Sequence, residues 1–197
     1  MTMLTHSGIL MLKKGTKTGG LFFHQNLSPY DFPKQLFGFI SKMKEQEFSN
    51  QFNTYFDNVQ IVEEDSIINE QDRKIVPNVE EGDTWIKLSH RHKSNELDLV
   101  DILFSASFSE LPDISKSIDP EEESDFSLTN HLYIVDLEER TVSFFTGGIG
   151  YNFNRSLVYE QKFEDFVDNE EENINVLLER YDALLQLKEN ELNERWN

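Results

Sequence analysis

Lys13, Lys14 and Lys17 stand among Gly15, Thr16, Thr18, Gly19 and Gly20 as Lys-Lys-Gly-Thr-Lys-Thr-Gly-Gly, the residue types from which phosphate-binding loops are built. A P-loop needs glycine, four further residues and then Gly-Lys-Ser/Thr, because backbone N–H groups must converge on the phosphates before the lysine reaches the terminal ones. Here Lys17 precedes the glycine pair and no Gly-Lys-Ser/Thr follows. The next residues, Leu21 to Phe23, have the apolar character of a strand rather than a helix. The stretch is therefore predicted to be a turn joining two strands.

Other residue types could carry chemistry. Removal of Met1 would leave an N-terminal Thr2 whose own amine can act as base, as in N-terminal-nucleophile hydrolases; an active protein that keeps Met1 would exclude that route. His24, near Asn26, and His6 have the chemistry of a general base, although one needs a nucleophile and an orienting partner beside it. His90 and His92 would share one face of a strand, since side chains alternate with period two, and could open a zinc or nickel site. No His-Glu-x-x-His or comparable ligand spacing accompanies them, and no cofactor is expected. The carboxylates occur in runs, Glu63-Glu64-Asp65 and Glu121-Glu122-Glu123, with the look of solvated surface. Acid–base carboxylates instead need separate environments that push their pKa values apart.

The bulk properties narrow the classes. The 197-residue chain has a formal net charge of −19, and the charge is unevenly placed. Residues 1–50 hold six lysines and three acids, whereas residues 51–197 hold twelve bases and thirty-four acids. Such a surface repels nucleic acid and anionic lipid and attracts basic protein surfaces. The absence of cysteine excludes disulfides, thiolate metal sites and Cys nucleophiles, and accords with a reducing, cytoplasmic location. No stretch reaches the roughly 18 consecutive apolar residues of a membrane helix, and no signal peptide is read at the amino terminus.

These chemistries must be positioned by an α+β fold. Strands are predicted at Gly-Ile-Leu-Met-Leu-Lys-Lys and Gly-Leu-Phe-Phe-His-Gln-Asn-Leu. A helix follows, with Leu36, Phe39, Ile40 and Met43 at the spacing of one buried face, Asp31 as its N-cap and Pro33 in its first turn. It is read as running on through Phe48 and Phe52 towards Tyr55. Short strands are expected in 58–65 and 83–93; 96–108 is ambiguous and leans to helix, and 111–130 reads as a loop. Leu132-Tyr133-Ile134-Val135 and Thr141-Val142-Ser143-Phe144-Phe145 form the clearest hairpin, with Asp136 to Arg140 as its polar turn, Ser-Leu-Val-Tyr-Glu-Gln-Lys-Phe supplies a further strand, and an amphipathic helix runs from about 171 to the end. The predicted architecture is a mostly antiparallel sheet built from hairpins. One helix follows the first hairpin, and a C-terminal helix (171–197) packs on or extends from a single domain (1–170).

Met-Leu-Thr-His-Ser-Gly-Ile-Leu, Phe-Phe-His-Gln-Asn-Leu-Ser-Pro (His24, Asn26, Pro29) and Leu-Tyr-Ile-Val-Asp-Leu-Glu-Glu-Arg-Thr-Val-Ser-Phe-Phe-Thr-Gly-Gly together resemble a set of bacterial, phage and fungal proteins. Those proteins, of unassigned function, open with Met-x-Thr-Arg-Gly and carry a later Tyr-Val-Ile-Asp-Leu-Asp hairpin. The resemblance covers about 70 residues and implies an α+β order of elements without implying an activity. His6-Ser7 replaces the family's arginine, and Asn26 stands where aspartate is usual.

The function these readings favour is an acidic binding protein that docks on a basic protein partner, as an inhibitor, an antitoxin-like protein or a nucleic-acid mimic, with a phage origin in view. Direct nucleic-acid or membrane binding is not expected. Its contact residues are predicted to be Glu121, Glu122, Glu123, Asp125, Glu170, Glu171 and Glu172, with Tyr181 and Trp196 as aromatic anchors. The alternatives are a hydrolase, acting through Thr2 or through His24 or His6, and a non-catalytic assembly component.

Overall fold

The computed structural model describes residues 8–23, 27–62, 98–105, 108–109, 131–146 and 156–195. Along the chain these form β1 (Gly8–Lys14), β2 (Lys17–Phe23), α1 (Phe32–Lys44), α2 (Gln46–Asn58), β3 (Ile61–Val62), α3 (Leu99–Ser105), β4 (Phe108–Ser109), β5 (His131–Asp136), β6 (Thr141–Thr146), β7 (Ser156–Lys162), α4 (Phe163–Asp168) and α5 (Glu170–Arg195). The class is α+β. The sheet order is β3-β4-β2-β1-β5-β6-β7, in which five long strands carry the structure and the two-residue β3 and β4 extend the β2 edge.

Hairpins build most of this sheet, but it is mixed rather than wholly antiparallel. The β1–β2 hairpin and the β5–β6 hairpin lie side by side, and their join is a parallel pairing of β1 with β5, Gly8 opposite His131 through Lys13 opposite Asp136. The reason lies in the side chains. Ile9 to Leu12 are all buried, and so are Leu132, Tyr133 and Val135. Strands with apolar residues on both faces are most stable in the middle of a sheet.

One face of the sheet carries the main core. Leu10 and Leu12 of β1, Leu21 and Phe23 of β2, Tyr133 and Val135 of β5, Val142 and Phe144 of β6, and Tyr159 of β7 belong to a single buried cluster with residues of all five helices. The opposite face carries a smaller apolar set, Ile9, Met11 and Leu132, with Ile134 and Phe145 packed against it.

The predicted stripe of α1 is buried as expected: Leu36, Phe39, Ile40 and Met43 face the core. Asp31 occupies the N-cap position, and a proline sits in the first turn, yet the Asp31 side chain makes no capping bond. Instead the backbone N–H groups of Asp31 and Phe32 both donate to the Ser28 carbonyl. The single long helix of the sequence reading is two helices, because Glu45 adopts an extended conformation (ψ 120°) between α1 and α2. The break turns Phe52 onto Phe39 and Phe104, with ring centroids 4.9 and 5.3 Å apart, so that α1, α2 and α3 share one aromatic cluster. Residues 99–105 are helical, in line with the leaning for that segment.

Gly15 and Thr16 form the turn between β1 and β2, and Gly15 supplies the positive φ (57°) that the tight reversal requires. The three lysines around it have protein partners. Lys13 pairs with Asp136 at 2.8 Å and Lys14 with Asp57 at 2.6 Å. Lys17 Nζ donates to the carbonyls of Phe56, Asp57 and Val59, at 2.6, 3.0 and 2.8 Å, and lies over the Phe56 ring. It thus closes the C-terminus of α2, where carbonyls lack intrahelical donors and the helix dipole favours a cation. Lys17→Met is expected to cost about 1–3 kcal/mol, because it leaves those carbonyls without their donor. Lys14→Met, which removes only an ion pair to the exposed Asp57, should cost under about 1 kcal/mol. Urea denaturation of the two variants side by side checks the contrast, and equal midpoints would contradict the capping role.

Candidate functional site

The acidic segment after β7, to which the sequence reading assigned no element, is helical. Phe163 and Phe166, one helical turn apart, are buried and seat α4 on the core. The acids of α4 point outwards, and two of them are tied down. Glu164 receives the Arg140 guanidinium at 2.9 and 2.7 Å, while Asp168 meets Lys44 at 2.7 Å. The Arg140 hydrogen bond holds the Glu164 carboxyl below its ordinary range. Asn173 fixes the next helix at an angle to α4 by donating from Nδ2 to the carbonyls of Asp165 (2.7 Å) and Phe166 (3.1 Å).

This corner places the first turn of α5 in solvent. Glu170, Glu171 and Glu172 are exposed there, and residues 163–172 hold six acids and no base. A shallow surface depression of about 560 Å³ opens at this point, lined by Glu170, Glu171, Glu172 and Glu179 with Asn175 and Val176. No lysine or arginine lines it. The carboxylates also favour the helix itself, since negative charge at an N-terminus interacts well with the dipole. What the arrangement can do chemically is accept hydrogen bonds and positive charge from a guanidinium or ammonium group on a partner. The acids are exposed and lie side by side, not in the contrasting environments that acid–base catalysis uses.

Tyr181 requires a correction. It was expected to be an aromatic anchor for a partner, but it is only 5% exposed. Its ring packs edge-on against His131 at 5.7 Å and near Phe144 at 6.0 Å, where the core side of the α5 stripe meets β5 and β6. Burial raises its hydroxyl pKa. The exposed aromatic next to it is Tyr30, whose hydroxyl donates to Asp182 at 2.7 Å; that bond, with partial burial, pushes its pKa up to about 12. Ile174, Leu177 and Tyr181 are buried, while Leu187 is 59% exposed, so α5 leaves the core after its first four turns. Thr2, His6, His24, Asn26, His90, His92, Glu121, Glu122, Glu123, Asp125 and Trp196 lie outside the described residues. Among the described residues there is no group of three or more His, Asp or Glu placed to hold a metal ion, and no helix is long and apolar enough to cross a membrane.

The sequence reading did not single out His131, Tyr133 or Asp136. His131 and Tyr133 are buried at the start of β5, and the Tyr133 hydroxyl is raised well above its ordinary pKa by burial. Asp136 ends β5 and organises the hairpin, accepting the backbone N–H groups of Glu138 (3.1 Å) and Glu139 (2.9 Å) while pairing with Lys13 across the parallel join. Its presence before a polar turn was the available signal, because aspartate accepts backbone N–H groups two and three residues on.

Burial alone would push the Asp136 carboxyl up, but the Lys13 hydrogen bond, the two backbone N–H groups and the Lys13 charge outweigh it, so the net shift is downwards from 3.8. A carboxyl whose pKa is lower when folded than when unfolded contributes stability above its unfolded value and loses it as pH falls through the folded one. Asp136→Asn should therefore lower stability at pH 7 by about 1–2 kcal/mol. The gap to wild type should close in acid as pH drops below about 4. Thermal melts from pH 2.5 to 7 read this out, and a gap constant with pH would contradict it.

No known protein family, curated protein or solved structure matches the chain.

Proposed function

We propose that this protein is a binding protein that docks on a basic protein surface through the carboxylates of the α4–α5 corner. The observation that carries this reading is the depression ringed by Glu170, Glu171, Glu172 and Glu179, lined by no base, on a chain whose net charge is −19. Neighbouring acids that have structural work, Glu164 and Asp168, are already paired with Arg140 and Lys44. The glutamates of the depression are left facing solvent. An inhibitor, antitoxin-like or nucleic-acid-mimic role fits such a surface, because spaced carboxylates occupy grooves shaped for phosphates and associate quickly at low salt.

The test is a pull-down from host lysate at low and high salt, read by mass spectrometry, with the Glu170→Gln, Glu171→Gln, Glu172→Gln triple variant run in parallel. A basic partner is expected at low salt, released by high salt. The triple variant should bind it at least about tenfold more weakly, equivalent to 1.4 kcal/mol. Because the three glutamates also favour the helix N-terminus, the variant's fold is checked by circular dichroism. A partner that resists high salt, or that binds wild type and variant equally, would overturn the assignment.

A further inference from the structure

We draw no further inference here: the strongest candidate, the second face of the sheet, on which exposure rises from buried Leu132 through Ile134 and Phe145 to Leu157 at the β7 edge, is an apolar patch for which nothing in the structure shows what covers it.

Discussion

Replacing Phe144 with alanine is expected to destabilise the fold by about 3–5 kcal/mol, the range for deleting a fully buried aromatic ring. The residue is 0% exposed and lies at the centre of the β5–β6–α5 junction. Its ring stacks on Tyr133 with centroids 4.5 Å apart, and it approaches His131 at 5.9 Å and Tyr181 at 6.0 Å. Truncation would leave a cavity lined by three other rings, two held on β5 and one on α5. Those rings cannot collapse inwards without moving their elements, so little of the lost contact would be recovered. Against a total stability of about 5–15 kcal/mol for an ordinary domain, the loss is large. Urea denaturation followed by far-UV circular dichroism measures it. Phe144→Leu should recover more than half of the difference by refilling the space. A cost below about 1 kcal/mol for the alanine variant would show that α5 does not depend on this ring for its seat.

Gly8→Val should be the second severe change, at about 2–3 kcal/mol, through overpacking rather than through a cavity. A Cβ at Gly8 would lie 2.7 Å from the His131 carbonyl oxygen, 2.9 Å from Leu27 Cδ2 and 3.0 Å from His131 Cβ. Leu27 can turn aside, but the carbonyl belongs to the backbone of β5, directly opposite Gly8 in the parallel register. Relief therefore requires β1 and β5 to separate at their first pair. The damage should be local before it is global. Hydrogen exchange is expected to speed up in the first residues of β1 and β5 while the α1 amides stay protected. Gly38→Ala is the matched control, since a Cβ there meets nothing within 4 Å. Uniform loss of protection across sheet and helices, or no loss at all, would contradict the argument.

The parts of the fold that were legible are those set by local patterns. The α1 stripe, the β5–β6 hairpin, the turn at Gly15 and β7 all follow from periodicity and turn chemistry, which act over a few residues. The acidic corner was legible as composition, since six acids in ten residues need no fold to be counted. Its shape was not. The charge run concealed α4, whose only helical signal is the spacing of Phe163 and Phe166, and the bend between α4 and α5 depends on Asn173 reaching carbonyls of residues seven and eight positions back.

By itself, then, the sequence determined the α+β class, the five long strands, the buried stripe of α1, the charge asymmetry and the exclusion of thiol chemistry. Only the tertiary structure decided that β1 and β5 pair in parallel, because two doubly apolar strands compete for the same central position and nothing local selects their direction. It also decided what each polar residue is for. Lys17 becomes a helix cap and Asp136 a tie between β5 and β1 because their partners lie 39 to 42 and 123 positions away in the chain. Tyr181 belongs to the core rather than to a partner's contact set for the same kind of reason. An amphipathic stripe states that one face of a helix will be covered, and it takes β5 and β6 beneath that face to say where the cover ends.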